Sequence, residues 1–126
     1  MKLNEIKTEK APAAIGPYSQ AIAVNRIVFV SGQLGLIPES GEMAGPDLAS
    51  QAKQALTNLS QVLKAGGTDL DKVAFVDVFL TNMGDFHEFN KIYQEFFTEH
   101  KPARAVVGVS SLPKDALVEI KCIAFC

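Results

Sequence analysis

Nine consecutive residues, Val73-Ala74-Phe75-Val76-Asp77-Val78-Phe79-Leu80-Thr81, leave this chain few ways to fold. A strand turns successive side chains to opposite faces, and here both sets are apolar apart from Asp77, so neither face of the segment suits water. It belongs in the middle of a sheet. Residues 116–126 have the same two-sided apolar character, with Glu119 and Lys121 as the exceptions. Both strands therefore need cover above and below.

Two amphipathic stretches can supply one of those covers. Leu48, Ala52, Ala55, Leu56, Leu59, Val62 and Leu63 recur at spacings of three and four. They predict a helix of roughly five turns that starts at Pro46 or Asp47 and stops at Gly66-Gly67, with Gln51, Lys53, Gln54 and Lys64 on its solvated side. Phe86, Phe89, Ile92, Tyr93, Phe96 and Phe97 predict a second helix. Asp85-Phe86-His87-Glu88 has capping-box spacing at its start, and His100-Lys101 ends it before Pro102. This aromatic stripe reads as core packing rather than as a cofactor box.

The remaining strands are predicted at 3–8, 19–24, 27–31 and 102–109, with Asn25-Arg26 as a hairpin break. Ser31-Gly32-Gln33 closes the third strand, and a glycine there allows a close backbone approach or a bend. The order β-β-β-α-β-α-β-β predicts an α+β arrangement of two layers, with two helices on one face of a five- or six-stranded sheet. The other sheet face is left without cover, so a second copy of the chain is expected against it.

Composition narrows the function. With 126 residues the chain is one domain, 1–126, and it is 48% hydrophobic and 21% charged with a net charge of −2. Lysines and arginines are scattered, which argues against a nucleic-acid groove. No apolar signal core or membrane-length apolar stretch is visible, and the cytoplasm is the expected location. Cys122 and Cys126 would lie about 13 Å apart on a strand, beyond disulfide reach, and read as buried thiols. His87 and His100 have neither paired spacing nor cysteine neighbours, so a metal site is not expected, and no cofactor is expected either.

Two charges stand where their neighbours are apolar. Arg104 lies in Pro102-Ala103-Arg104-Ala105-Val106-Val107 and Glu119 in Val118-Glu119-Ile120. An unpaired buried charge costs several kcal/mol, so each needs an opposite charge or a charged ligand. An internal ion pair would meet that need; so would a carboxylate ligand for Arg104, with a proton or water for Glu119. Lys121 on the same strand face is another partner open to Glu119, and Asp77 is expected to satisfy backbone or a neighbouring lysine.

Three stretches together resemble the Rid family, the reactive intermediate deaminases also called YjgF-like proteins. They are Ala11-Pro12 through Ile15-Gly16-Pro17-Tyr18-Ser19-Gln20-Ala21, then Val28-Phe29-Val30-Ser31-Gly32-Gln33, and Pro102-Ala103-Arg104 with Val118-Glu119-Ile120. The resemblance implies a chorismate-mutase-like fold with a mixed six-stranded sheet, and a homotrimer with sheets inward and a cleft at each subunit boundary. It implies hydrolytic deamination of 2-iminobutanoate and 2-iminopropanoate, products of pyridoxal-phosphate-dependent dehydratases, to 2-keto acids and ammonia. In that picture Arg104 holds the substrate carboxylate and Glu119 activates water, while Tyr18, Ser31, Gly32 and Asn90 line the cleft. Many members carry a cysteine two residues after the arginine; Val106 stands here, which argues against thiol-based regulation. A simple hairpin would set Arg104 opposite Glu119 or offset by two, whereas the family fold implies an intervening strand and contact near a subunit boundary, the account preferred. A non-catalytic sensor of 2-keto or amino acids, or an endoribonuclease or translation inhibitor, are the alternative functions.

Overall fold

In the computed structural model, which describes residues 2–126, the predicted element order is present. The strands are β1 (Asn4–Ile6), β2 (Ala21–Val24), β3 (Ile27–Gln33), β4 (Val73–Leu80), β5 (Ala103–Gly108) and β6 (Val118–Phe125). The helices are α1 (Leu48–Ala65) and α2 (Phe86–Phe96). The six strands form one mixed sheet in the order β1-β2-β3-β6-β4-β5, antiparallel except for the β4–β5 pair. As its two-sided apolar pattern requires, β4 lies inside the sheet, between β6 and β5.

One face carries the core. Val76, Val78 and Leu80 of β4 and Val118, Ile120, Cys122 and Ala124 of β6 are buried with Leu56, Leu59, Val62 and Leu63 of α1 and Phe89 of α2. Asp47 caps α1 by accepting from Ser50 N at 3.1 Å, and Gly66 ends it. Asn25 and Arg26 both take positive φ, 48° and 68°, as a two-residue hairpin turn demands.

The opposite face is apolar and open. Ile22 pairs with Phe29, Phe29 with Ile123 and Ile123 with Phe75, giving one row across four strands. Phe29 is 43% exposed, Ile123 37% and Phe125 52%. Full burial of such side chains stabilises by about 1.5–3 kcal/mol each. None of the helices among the described residues is long and apolar enough to cross a membrane.

Three local expectations are corrected. Asp85 makes no capping hydrogen bond, because its backbone is already helical (φ −83°, ψ 0°). A 3-10 turn at Met83–Asp85 leads into α2 instead, where Asn82 Oδ1 accepts from Gly84 N at 2.9 Å. The helix ends at Phe96 rather than at His100-Lys101, since His100 is drawn away to the start of β4, with Nε2 2.6 Å from Val73 O. Gln51 is buried rather than solvated: its Nε2 donates to Gly45 O at 3.0 Å and its Oε1 accepts from Leu117 N at 2.8 Å. A long amide on a helix is polar by composition, but only the tertiary fold reveals two backbone groups waiting for it.

Candidate functional site

The pairing of β3 with β6 is irregular between Val30 and Gln33, and this break brings Ser31 and Gly32 to the floor of a cleft. The cleft has a volume of about 930 Å³, and Pro12, Tyr18, Glu39, Lys114 and Glu119 are among the residues that line it. Its proline-rich wall is held by Gln20, a buried side chain. Gln20 Nε2 donates to Pro12 O at 2.7 Å and to Thr8 O at 3.1 Å, while its Oε1 accepts from Thr8 N at 2.8 Å. Ser31 is fixed in the same way, its N–H donating to Gln20 O at 2.9 Å and its hydroxyl to Ser19 O at 2.6 Å.

Glu119 faces the open side of the sheet and lies directly on Gly32. A Cβ on Gly32 would collide with Glu119 Oε2 and come within 2.8 Å of its Cδ. The glycine therefore makes room for a carboxyl group. Glu119 is partly buried, and burial raises its pKa above the usual carboxylate value while the Lys121 charge works weakly in the other direction. Lys121 itself pairs with Asp77 at 3.6 Å, the lysine contact expected for that aspartate, and forms no ion pair with Glu119.

Arg104 is elsewhere. It lies on the edge strand β5, opposite Val76 on the helix-covered face of the sheet. Phe86, Asn90 and Tyr93, one stripe of α2, make a seat for it. Arg104 Nη1 donates to Asn90 Oδ1 at 2.9 Å, and its Cζ stands 4.7 Å from the Tyr93 ring centroid and 5.9 Å from that of Phe86. Amide and rings hold the guanidinium by cation–π and hydrogen-bond attraction without cancelling its charge. Among the described residues no carboxylate lies within ion-pair distance of it. The stripe that reads as core packing thus also positions a cation. Tyr93 is 8% exposed, its hydroxyl has no hydrogen-bond partner among the described residues, and burial pushes its pKa up to about 12.

Within one chain the arginine and the carboxyl do not meet. Arg104 pairs with Val76 and Glu119 with Phe79, on either side of β4. That register separates them by about 10 Å along the strands and about 10 Å across them, and the two side chains leave opposite faces. The strand expected between them is present, so neither hairpin arrangement forms. Of the residues singled out in the sequence, Tyr18, Ser31, Gly32 and Glu119 gather at the cleft, and Asn90 joins Arg104. Gln20 and Lys114 escaped notice. The partners of Gln20 are a loop away, and the placement of Lys114 follows from a turn with no glycine to announce it.

Val106 packs against the core, and Cys122 is a buried free thiol whose pKa burial pushes up to about 12. A thiol held that firmly in its protonated form is a poor nucleophile or metal ligand. Among the described residues no three His, Cys, Asp or Glu side chains stand close enough together to hold a metal ion.

These features define a two-layer α+β domain with a largely apolar cleft that holds a carboxyl group on its open sheet face, and an arginine at its edge with no carboxylate partner among the described residues. The family described as Endoribonuclease L-PSP matches residues 8–126. The 2-iminobutanoate/2-iminopropanoate deaminase of Bos taurus is 49% identical over 119 residues, which is 94% of this chain and 87% of that protein. Among solved structures, YyfA of the conserved Rid protein family from Yersinia pestis superposes with a TM-score of 0.97 at 43% identity, covering 99% of this chain and 100% of that one. TdcF of E. coli with bound serine gives 0.93 at 38% identity, covering 98% of each chain. The chain belongs to the Rid family.

Proposed function

We propose that this protein hydrolyses 2-iminobutanoate and 2-iminopropanoate to the 2-keto acids and ammonia, at sites formed between neighbouring copies of a homotrimer. The observation that carries the reading is the pair of unmet charges: a guanidinium with no carboxylate partner on one sheet face, and a partly buried carboxyl with a raised pKa in an open cleft on the other. A small anion that needs both can reach both only if a second copy supplies one of them. The apolar open face provides the surface for that association. The deaminase name of close relatives and the serine bound by TdcF both accord with a small ligand carrying one carboxylate.

In this reading Arg104 of one copy grips the substrate carboxylate through donors that Asn90 leaves unused. Glu119 of the next copy, ionised, takes a proton from a water as its oxygen adds to the C=N carbon. The carboxyl then returns that proton to the nitrogen of the neutral carbinolamine formed from the iminium; the C–N bond breaks as the C=O bond forms, the hydroxyl proton passes to the Glu119 carboxylate, and ammonia leaves. Ser31 lines the cleft, and with its hydroxyl proton committed to Ser19 O its oxygen is left to accept a hydrogen bond. An iminium carbon is already electrophilic, so placement of charge and water carries the step. The substrates are unstable products of pyridoxal-phosphate-dependent dehydratases, which gives the protein its functional link to those enzymes. Glu39 and Glu119 against the single cation Lys114 make the cleft a poor host for a polyanion such as RNA.

Coupling the purified protein to a threonine dehydratase tests the reading, with release of keto acid and ammonia followed while free imine would otherwise accumulate. The protein should accelerate both releases; a rate equal to the uncatalysed one defeats the assignment. Gly32→Ala gives a finer check. The atoms a new Cβ would meet belong to the movable end of Glu119, so the urea midpoint should change little. Displacing the carboxyl should nonetheless lower kcat by about tenfold to a hundredfold. An unaltered kcat in a folded Gly32→Ala protein would mean that Glu119 is not held in position by Gly32.

A further inference from the structure

At the rim of the cleft, between Pro113 and Ala116, two consecutive residues occupy the left-handed region: Lys114 (φ 58°, ψ 27°) and Asp115 (φ 54°). For a residue with a Cβ this conformation costs about 1–2 kcal/mol, and aspartate tolerates it better than lysine. The surroundings impose it. Ala116 is buried and its N–H donates to Pro113 O at 3.1 Å; Leu117 N donates to Gln51 Oε1 at 2.8 Å, and Leu117 O accepts from Thr81 N at 3.2 Å. The turn is thus tied to α1 on one side and to the end of β4 on the other.

That arrangement sets Lys114 on the cleft wall with Tyr18, Ser31 and Glu119. Glycine would adopt the same turn without the strain, so what lysine adds is its side chain. Lys114 is exposed, and among the described residues it forms no ion pair. The other charged residues lining the cleft are Glu39 and Glu119. With Lys114 neutralised, an approaching carboxylate would meet two like charges and no opposing one.

We propose that Lys114 is the entry cation of the cleft, drawing a small organic monoanion past Glu39 toward Glu119 and so setting which ligands the cleft admits. The inference rests on the deaminase reading for the identity of that anion, a 2-imino or 2-keto acid. Arg104 holds the carboxylate during the reaction; Lys114 acts on its arrival. Its effect is therefore on KM and is weakened by salt, because an exposed charge is screened over about 10 Å at 0.1 M ionic strength.

The test measures kcat and KM against ionic strength for the wild type, Lys114→Met, Lys114→Glu and Lys114→Gly, with Lys53→Glu on α1 as a charge-matched control. At about 10 mM salt, kcat/KM should fall about threefold in Lys114→Met and about tenfold or more in Lys114→Glu, almost wholly through KM, and the variants should converge with the wild type by about 0.5 M. Lys114→Gly should match Lys114→Met in KM while unfolding at a higher urea concentration, since the strain is gone. A Lys114→Glu protein indistinguishable from Lys53→Glu at low salt overturns the proposal. Thermal protection by 2-oxobutanoate, read on the same proteins, separates the two claims. A wild type without imine turnover but with Lys114-dependent protection overturns the deaminase reading alone. Turnover with no dependence on Lys114 overturns the entry cation alone.

Discussion

Arg104→Ala is expected to lower kcat/KM for 2-iminobutanoate hydrolysis by about a hundredfold to a thousandfold. The guanidinium is seated on Asn90, Tyr93 and Phe86 with its charge uncancelled, and in the proposed reaction a substrate carboxylate supplies its counter-ion. Hydrogen bonds to charged groups contribute about 1.5–3 kcal/mol each, and losing a bidentate pair accounts for that range. Arg104→Lys should recover little, because an ammonium cannot reproduce the planar fork or its stacking on Tyr93. Stability should change far less than activity, since the side chain is only partly buried. The measurement is steady-state deamination beside urea unfolding. Near wild-type turnover in Arg104→Ala would remove the arginine from the mechanism.

Glu119→Gln is expected to lower kcat by about a hundredfold to ten-thousandfold while ligand binding persists, because the amide keeps the shape of the carboxyl but cannot accept the proton of water. A ligand sensor would show no such division between turnover and binding. The pH profile gives a second signature. Burial raises the Glu119 pKa, and in the proposed reaction the ionised form is the base, so wild-type kcat/KM should climb through that raised value and the climb should vanish in Glu119→Gln. Stability runs the other way. The folded protein holds this proton more tightly than the unfolded chain, so the stabilisation is full below the unfolded pKa and is lost as pH rises through the folded one. Glu119→Gln should therefore gain stability over the wild type near neutral pH and lose that advantage in acid. Equal pH profiles for activity would sink the assignment.

The two variants also test where the site is. Mixed after dissociation and reassembly, Arg104→Ala and Glu119→Gln chains should regain about a quarter of wild-type activity, the share of boundaries at which an intact arginine faces an intact glutamate. A site built inside one chain would regain none.

Much of the fold was legible because its signals are local. The two-sided apolar pattern of β4 and β6 demanded interior strands, the three-and-four spacing of α1 and α2 marked out the covering layer, and Asn25-Arg26 marked the hairpin. Arg104 and Glu119 stood out by their apolar neighbours, whereas Tyr18, Ser31, Gly32 and Asn90 were singled out by the family resemblance. Two of the three misses, Gln51 and the helix end at His100, arose where a partner is remote. Gln51 was read as solvated because its two backbone partners, Gly45 and Leu117, approach only when the chain has closed. The capping box at Asp85 failed because a preceding 3-10 turn had already set the backbone.

By itself the sequence determined which segments must be buried, how many layers they make, and that two charges in apolar runs needed partners. Those outcomes follow from side-chain periodicity and the cost of desolvation, both carried by neighbours along the chain. Only the tertiary structure decided that Arg104 and Glu119 leave opposite faces of one sheet, that Gly32 makes room for the carboxyl, and that a strained turn sets Lys114 on the cleft wall. Register, sheet order and the packing of distant strands set these relations, and each depends on contacts between residues that the sequence keeps far apart.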